Sequence, residues 1–365
     1  MVNVKRHGFT ELSDSDGAET GPFHVNIIFV HGLRGHPKNT WVNSCDVSIE
    51  EERSSWSLFE RLFFLKAKPS VSTADGKESD ERLKPRQIFW PRDYLVQDIP
   101  QARVWTYGYN ADIIGGPFLG NNKNSVSDHG RDLRLQIERD IKNNDPILFV
   151  AHSLGGIIVK DAINKSEICR SRTRLVIFLG TPHRGSTYST WGVLASNILS
   201  LVRQDSHKKI IETLELNSEV LDNINEEFKS KVRGHGIKIY SFQEARALSG
   251  IQGVHEKVVE NYSSKLDMDS SIETVESIDA NHMQMARCND RSDPSYRAIH
   301  GVLDKFLSGM HDEETCRAQA ALLVESQMEA QTVLEPHPII SQNDEGLGAE
   351  KTETGRSNRK VDVTN

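Results

Sequence analysis

The stretch from residue 146 to 163 constrains the fold more than any other part of this sequence. The apolar run Pro146-Ile-Leu-Phe-Val150 leads through Ala151-His-Ser-Leu-Gly155 into an apolar helical pattern. A nearly all-apolar strand is typical of the centre of a parallel sheet covered on both faces. A serine with small residues two positions before and two positions after it, at such a strand-to-helix junction, predicts a tight turn that lifts the hydroxyl above the sheet. We therefore predict that Ser153 is a nucleophile, flanked by the small residues that the turn requires.

Short apolar runs recur along the chain at 24–30, 103–107, 175–179 and 237–242, with a weaker run at 257–259. Helical patterns separate them, as at 128–141, where Leu133, Ile137 and Ile141 fall on one face. This alternation predicts an α/β chain with a mainly parallel central sheet and helices on both faces. Together with the turn at Ser153, it predicts the α/β-hydrolase fold.

The same patterns divide the chain into segments. We expect an N-terminal tail at 1–22 and a hydrolase domain at 23–309. Within that domain, a polar insertion is expected at about 66–87 and a helical lid at about 186–234, where the strand rhythm is interrupted. A helical extension at 310–334 precedes a polar tail at 335–365, whose composition predicts disorder.

A nucleophilic serine needs a base, and the base needs a carboxylate that orients it. In this fold the chain order is serine, acid, histidine, with the histidine after the last strand. His282 lies between the run at 257–259 and the final helix, and is the predicted base. His235 and His255 come too early, and His300 falls inside that helix.

Glu244 is the predicted acid because it directly follows the run at 237–242, where this fold places its carboxylate. Glu260, Asp267 and Asp279 are alternatives.

Two backbone amides are predicted to bind the oxyanion that forms during attack. The first belongs to Leu33, which follows His31-Gly32 after an early strand, and the second to Leu154, which follows the nucleophile. The N-terminus of a helix favours negative charge at the same place. His31 is expected to hydrogen-bond its own loop.

Composition excludes several classes of protein. A net charge of -8 and a pI near 6.0 argue against nucleic-acid binding, which usually needs a basic face. The four cysteines are scattered, without zinc-ligand spacing or the density of a disulfide scaffold. Without that spacing, and without a glycine-rich phosphate-binding motif, we expect no metal and no cofactor. No apolar signal segment or membrane-length run occurs, so we expect no secretion. The expected location is cytoplasmic or peripheral to an intracellular membrane, with the oligomeric state left open.

Several motifs resemble one known family, and they occur in its order from about residue 25 to 306. They are His31-Gly-Leu-Arg-Gly-His36 with Thr40-Trp41, Trp90-Pro-Arg-Asp-Tyr-Leu95, Tyr107-Gly-Tyr109, Ala151-His-Ser-Leu-Gly-Gly156, Leu179-Gly-Thr-Pro-His-Arg-Gly-Ser186 and Ser241-Phe-Gln-Glu244. The chain resembles the serine-active-site-containing hydrolases, a family that is numerous in fungi and similar to the GPI inositol-deacylase-like lipases. Within that family it resembles the fungal-type members. The resemblance implies Ser153, Glu244 and His282 as the triad. Residues 258–264 depart from the family, which often has an aspartate after two valines there.

The function expected from these residues is hydrolysis of a carboxylic ester with a hydrophobic acyl group, through an acyl-enzyme on Ser153. An acyltransferase and a tailoring hydrolase of a secondary-metabolite pathway are alternatives with the same residues. A catalytically silent interaction module is a third, because fold does not fix function.

Overall fold

The computed structural model describes residues 2–13, 25–33, 35–45, 86–111, 125–183, 218–247, 257–259 and 261–333. The chain divides into two compact units, Met1–Leu307 and Ser308–Asn365. The predicted tail at 335–365 lies outside the described residues, as do nearly all of the insertion at 66–87 and the lid up to 217.

The described residues form nine strands. They are β1 Gly8–Glu11, β2 Val25–Val30, β3 Val42–Cys45, β4 Arg86–Phe89, β5 Ala102–Gly108, β6 Ile147–His152, β7 Thr173–Leu179, β8 Lys238–Glu244 and β9 Glu273–Ile278. Seven of these form one sheet in the order β1-β5-β2-β6-β7-β8-β9, while β3 and β4 pair separately. All neighbours in the large sheet are parallel except β1, which is antiparallel to β5.

The described helices are α1 Ser125–Asp140, α2 Gly155–Lys165, α3 Glu167–Arg172, α4 Ser218–His235 and α5 Pro294–Val333. Shorter helical segments span Pro91–Leu95, Val96–Asp98 and Gln284–Ala286. The predicted helix at 128–141 is thus α1, and the helix after Ser153 is α2.

Helices cover both faces of the sheet. On one face, Ile28 and Val30 of β2 belong to a buried cluster shared with α1, α2 and α4. On the other face, the Phe29 ring packs against Trp41 and Trp90 at centroid distances of 5.0 and 5.1 Å. Trp90 in turn contacts Tyr296 in the first turn of α5. Strand β2 alternates sides in this way because successive side chains of a strand point to opposite faces.

The last strand is not where the sequence pattern placed it. Residues 257–259, predicted as the weak final strand, form no strand, and the final strand is β9. The four central residues of β9 are exposed, so the strand carries no apolar pattern that would reveal it. His282 still follows the last strand, because β9 ends at Ile278.

Two predicted segments contribute to the sheet or its core. Residues 8–11, assigned to the N-terminal tail, form the edge strand β1, so that region is not all tail. The end of the block predicted as a lid, residues 218–234, lies in α4, which buries Leu221, Phe228 and Val232 in the core. This part of the block packs on the core instead of forming a lid.

The sheet order and its connections confirm the α/β-hydrolase fold. Strand β6 lies centrally between β2 and β7 and runs directly into α2 through the turn at Ser153. The predicted acid ends β8, and the predicted base follows β9, both on the same side of β6 in the sheet. The carboxyl ends of parallel strands share one edge, so this topology assembles all three residues there.

Candidate active site

Ser153 occupies a strained turn between β6 and α2. Its φ of 55° lies in the left-handed region, which costs a residue with a Cβ roughly 1–2 kcal/mol. The turn packs tightly: a Cβ on Gly155 would overlap the carbonyl oxygen of His31 and lie 2.7 Å from that of Val30. The Ser153 N–H donates to the Leu179 carbonyl at 2.9 Å. The turn therefore has the steric requirement that the sequence predicted for a nucleophile elbow.

Glu244 and His282 face each other in a buried position. Each side chain is 1% exposed, and His282 Nδ1 lies 3.6 Å from Glu244 Oε1. The backbone N–H of Val259 donates to the same Oε1 at 2.6 Å, which holds the carboxylate toward the imidazole. The alternatives Asp267 and Asp279 are surface carboxylates, with side chains 57% and 65% exposed.

The fourth candidate acid, Glu260, lies outside the described residues. Among the described carboxylates that the sequence offered, Glu244 is the one buried against the predicted base.

The His282 ring lies over Gly180, the residue after β7. A Cβ at Gly180 would be 2.9 Å from His282 Nδ1 and 3.1 Å from Cε1, so no side chain fits there. Gly180 also has a φ of 56°, which glycine adopts without the usual penalty. Because the preceding Leu179 carbonyl binds the Ser153 N–H, this contact brings the imidazole to the edge of the sheet where the serine lies.

Four buried polar atoms at this edge have no hydrogen-bond partner in the part of the chain that the structure describes. They are Ser153 Oγ, Glu244 Oε2 and both ring nitrogens of His282. Buried polar groups are usually paired, so a group of unpaired ones needs an explanation. Catalytic hydrogen bonds are commonly long in the absence of substrate and shorten when it binds. A catalytic acid, base and hydroxyl at these positions would account for all four atoms.

The loop after β2 packs directly on Ser153. A Cβ at Gly32 would lie 2.6 Å from Ser153 Cβ and 3.2 Å from its Oγ, so the backbone approaches the serine as closely as it can. Leu33 is the next residue, and its N–H is one of the two predicted oxyanion donors. The other, Leu154, precedes α2 as its N-cap and provides no side-chain hydrogen bond to the helix. Its amide belongs to the first N–H groups of a helix, which have no partner within the helix.

The predicted role of His31 in binding its own loop is confirmed. Its Nδ1 donates to the Gly32 carbonyl at 3.0 Å, and the Tyr109 N–H donates to its Nε2 at 3.4 Å. The Tyr109 ring stacks on the imidazole at a centroid distance of 4.3 Å. Burial lowers the pKa of His31 to about 4, so the ring is neutral near pH 7 and keeps this bonding pattern.

Neither a metal centre nor a membrane-spanning helix is found in the described ranges. They contain no group of three or more histidine, cysteine, aspartate or glutamate side chains placed to hold a metal ion. No helix among them is both long and apolar enough to cross a bilayer.

Three contacts at the site were missing from the sequence-based prediction. They are the glycine under the imidazole (Gly180), the Val259 amide that holds the acid, and a hydrogen bond from His152 to the His282 backbone. Only His152 carried a local signal, because it adjoins the nucleophile. The other two depend on contacts between segments far apart in the chain.

No model of a known protein family matches the chain. Among curated proteins, Protein SERAC1 of Danio rerio is 24% identical over 235 residues, covering 61% of this chain and 30% of that protein. Protein SERAC1 of Mus musculus is 21% identical over 275 residues, covering 73% of this chain and 36% of that protein. The chain is therefore a distant relative that spans about a third of their length. The finer likeness to GPI inositol-deacylase-like and fungal-type proteins stays a prediction.

Solved structures that resemble the chain include a lipase-esterase related protein from Clostridium acetobutylicum. That likeness has 12% identity and a TM-score of 0.41, and covers 83% of this chain and 100% of that one. A soluble variant of monoglyceride lipase from Saccharomyces cerevisiae, in complex with a substrate analog, has 8% identity and a TM-score of 0.42. It covers 82% of this chain and 90% of that one. These likenesses are weak.

Proposed function

We propose that this protein is a serine hydrolase that cleaves a carboxylic ester through an acyl-enzyme on Ser153. The observation that carries the proposal is the cluster of buried polar atoms on Ser153, His282 and Glu244 at one edge of the sheet, which find no partner among the residues that the structure describes. A carboxylate, an imidazole and a hydroxyl in this chain order form the set of groups that activates a serine.

In the proposed reaction, His282 Nε2 accepts the Ser153 proton while Oγ attacks the ester carbonyl carbon. The tetrahedral intermediate collapses, and the alcohol leaves with the proton from His282. Water then attacks the acyl-enzyme, again with His282 as base, and releases the carboxylic acid. Glu244 lies 3.6 Å from Nδ1, so its charge stabilises the imidazolium that forms in each step.

The Leu33 and Leu154 amides are the proposed donors to the oxyanion. The support is that Gly32 touches the serine and that α2 begins immediately after it. Loss of one such donor in other enzymes costs about 10²–10³ in kcat. Loss of either amide is therefore expected to lower kcat substantially.

The proposed substrate class is a hydrophobic acyl ester. It is suggested by the apolar helical pattern near 191–202, which lies outside the described residues. Peripheral contact with a membrane surface is part of the same proposal, since such esters reside in lipid.

Two measurements test the proposed reaction. A fluorophosphonate probe should label the wild type and leave Ser153→Ala unlabelled. p-Nitrophenyl esters from acetate to palmitate should be hydrolysed by the wild type alone, with a rate that rises with chain length. A preference for acetate would remove the hydrophobic substrate and keep the esterase.

The other functions are separated by the same assay. Product that appears only when an alcohol acceptor is added would show an acyltransferase. Equal labelling of wild type and Ser153→Ala, or no labelling of either, would favour a silent module.

A further inference from the structure

The side chain next to the nucleophile binds the backbone of the predicted base. His152 ends β6, is 4% exposed, and its Nε2 lies 2.8 Å from the carbonyl oxygen of His282. The two imidazoles are also in contact, with centroids 4.9 Å apart. The residues are separated by 130 positions in sequence, so this bond joins the nucleophile strand to the loop that carries the base.

The chemistry of the two groups fixes the direction of the bond. A carbonyl oxygen only accepts, so His152 Nε2 must carry the hydrogen and donate it. Burial lowers the pKa of His152 to about 3, with the neighbouring His282 as the next cause. His152 is therefore neutral at working pH and presents one tautomer, with the hydrogen on Nε2.

Other hydrogen bonds hold the loop that carries His282 at different positions along its backbone. The Trp90 Nε1–H donates to the Ala286 carbonyl at 2.9 Å, four residues beyond the base. The Asn281 side chain accepts from the backbone N–H groups of Met283 and Gln284 at 3.1 and 3.0 Å. Within the described residues, the hydrogen bond from His152 is the one that reaches the backbone carbonyl of His282 itself.

We propose that His152 is a positioning residue, which sets the distance and angle between the His282 imidazole and the Ser153 hydroxyl. The proposal rests on the proposed function, in which those two groups exchange a proton. Its basis is that the rigid ring of His152, the residue before Ser153, donates a hydrogen bond to the backbone carbonyl of His282. Misplacement of reacting groups by about 1 Å can lower a rate by about 10²-fold, so a contact of this kind affects kcat strongly.

The test compares two replacements of similar size. His152→Gln retains an N–H that can reach the carbonyl, whereas His152→Phe fills the space without a donor. We expect His152→Phe to lower kcat for p-nitrophenyl butyrate by about 10–100-fold, with KM unchanged and fluorophosphonate labelling slowed to the same degree. His152→Gln should recover most of the lost kcat.

Trp90→Phe is the matched control, because it removes a different buried hydrogen bond from the same loop. It should lower the melting temperature and leave kcat close to wild type. Three results would overturn the proposal: wild-type kcat in His152→Phe, no recovery in His152→Gln, or an equal loss of kcat in Trp90→Phe. Failure of the wild type to react with the probe would instead overturn the proposed function, and this inference with it.

Discussion

Gly32→Ala is the substitution that tests most directly the position of the loop after β2, called here the oxyanion loop because it carries the proposed oxyanion donor Leu33. The added methyl group would lie 2.6 Å from Ser153 Cβ and 2.9 Å from the His152 carbonyl oxygen. Ordinary contact between such atoms begins at 3.4 Å. Both neighbours belong to the rigid turn at the end of β6, so the loop has to move away by about 1 Å, and the Leu33 amide moves with it.

A displacement of this size predicts the magnitude of the effect. Displacing one oxyanion donor should lower kcat nearly as much as removing it. Removal costs about 10²–10³ in kcat, or roughly 3–4 kcal/mol of transition-state stabilisation. Binding of the ground-state ester should change little, since the amide matters most when charge develops on the oxygen. We therefore expect kcat for p-nitrophenyl butyrate to fall by about 10²-fold with a nearly constant KM.

A matched control separates this effect from the general effect of replacing glycine. Gly301 lies in α5, and a Cβ there would meet nothing within 4 Å. Gly301→Ala should keep wild-type kinetics and gain up to about 1 kcal/mol from helix propensity. Wild-type kcat in Gly32→Ala, with an unchanged melting temperature, would refute the placement of the oxyanion loop on Ser153.

Three further predictions concern buried groups. Ser153→Gly should unfold at a higher temperature than Ser153→Ala, by the equivalent of about 1 kcal/mol, because the φ of 55° suits glycine; equal melting temperatures would contradict the strain. Glu244→Gln keeps an acceptor for the Val259 amide and loses the charge, so kcat should fall by up to about 10⁴-fold, and a loss below tenfold would exclude Glu244 as the acid. Buried Lys160, whose amine bonds His183 at 2.5 Å, has its pKa lowered well below the usual value by burial. At pH values between that lowered pKa and about 10, the unfolded chain binds more protons at this lysine than the folded chain does. The unfolding free energy of the wild type, relative to that of Lys160→Met, should therefore rise with pH in this range, by up to about 1.4 kcal/mol per pH unit. Parallel pH profiles of urea unfolding for the two proteins would contradict this.

The tight turn at Ser153 could be predicted because its structure is encoded locally. A buried strand, a tight turn and an apolar helix all fall within residues 146–163, and each has its own sequence signal. Glu244 was predicted for a similar reason, since it ends an apolar strand whose position in the fold is recognisable. Both predictions depend on short segments, and tertiary contacts did not alter those segments.

The last strand could not be predicted in the same way. Strand β9 reads Glu273-Thr-Val-Glu-Ser-Ile278 and is held by pairing with β8, while its central side chains are exposed. An edge strand of this kind has no apolar alternation, so the sequence pattern favours the weaker run at 257–259 instead. His282 was nevertheless placed correctly after the last strand, because the argument depended on chain order and not on the exact strand.

The hydrogen bond from His152 to the His282 backbone could not be predicted from local sequence, although His152 adjoins Ser153. Its two partners are 130 residues apart, and their meeting depends on the parallel order of β6, β7, β8 and β9. The same holds for Gly180, where the space that a Cβ would need is occupied by the ring of His282 from a distant loop. The candidate reactive groups are therefore easier to predict from sequence than the contacts that hold them in place.

The energetics of this edge of the sheet bear on whether the chain is an enzyme or a silent module. The strained φ at Ser153 lowers the stability of the folded state, and so do the four buried polar atoms that have no partner within the described ranges. An unpaired buried polar group costs about 1–3 kcal/mol, a large part of the 5–15 kcal/mol that typically holds a domain together. A module that served only to bind a partner elsewhere on its surface would be more stable with small or apolar residues at these positions. These unfavourable features are concentrated on the three residues that a serine hydrolase needs. A catalytic role would explain that concentration, and a role in binding alone would not.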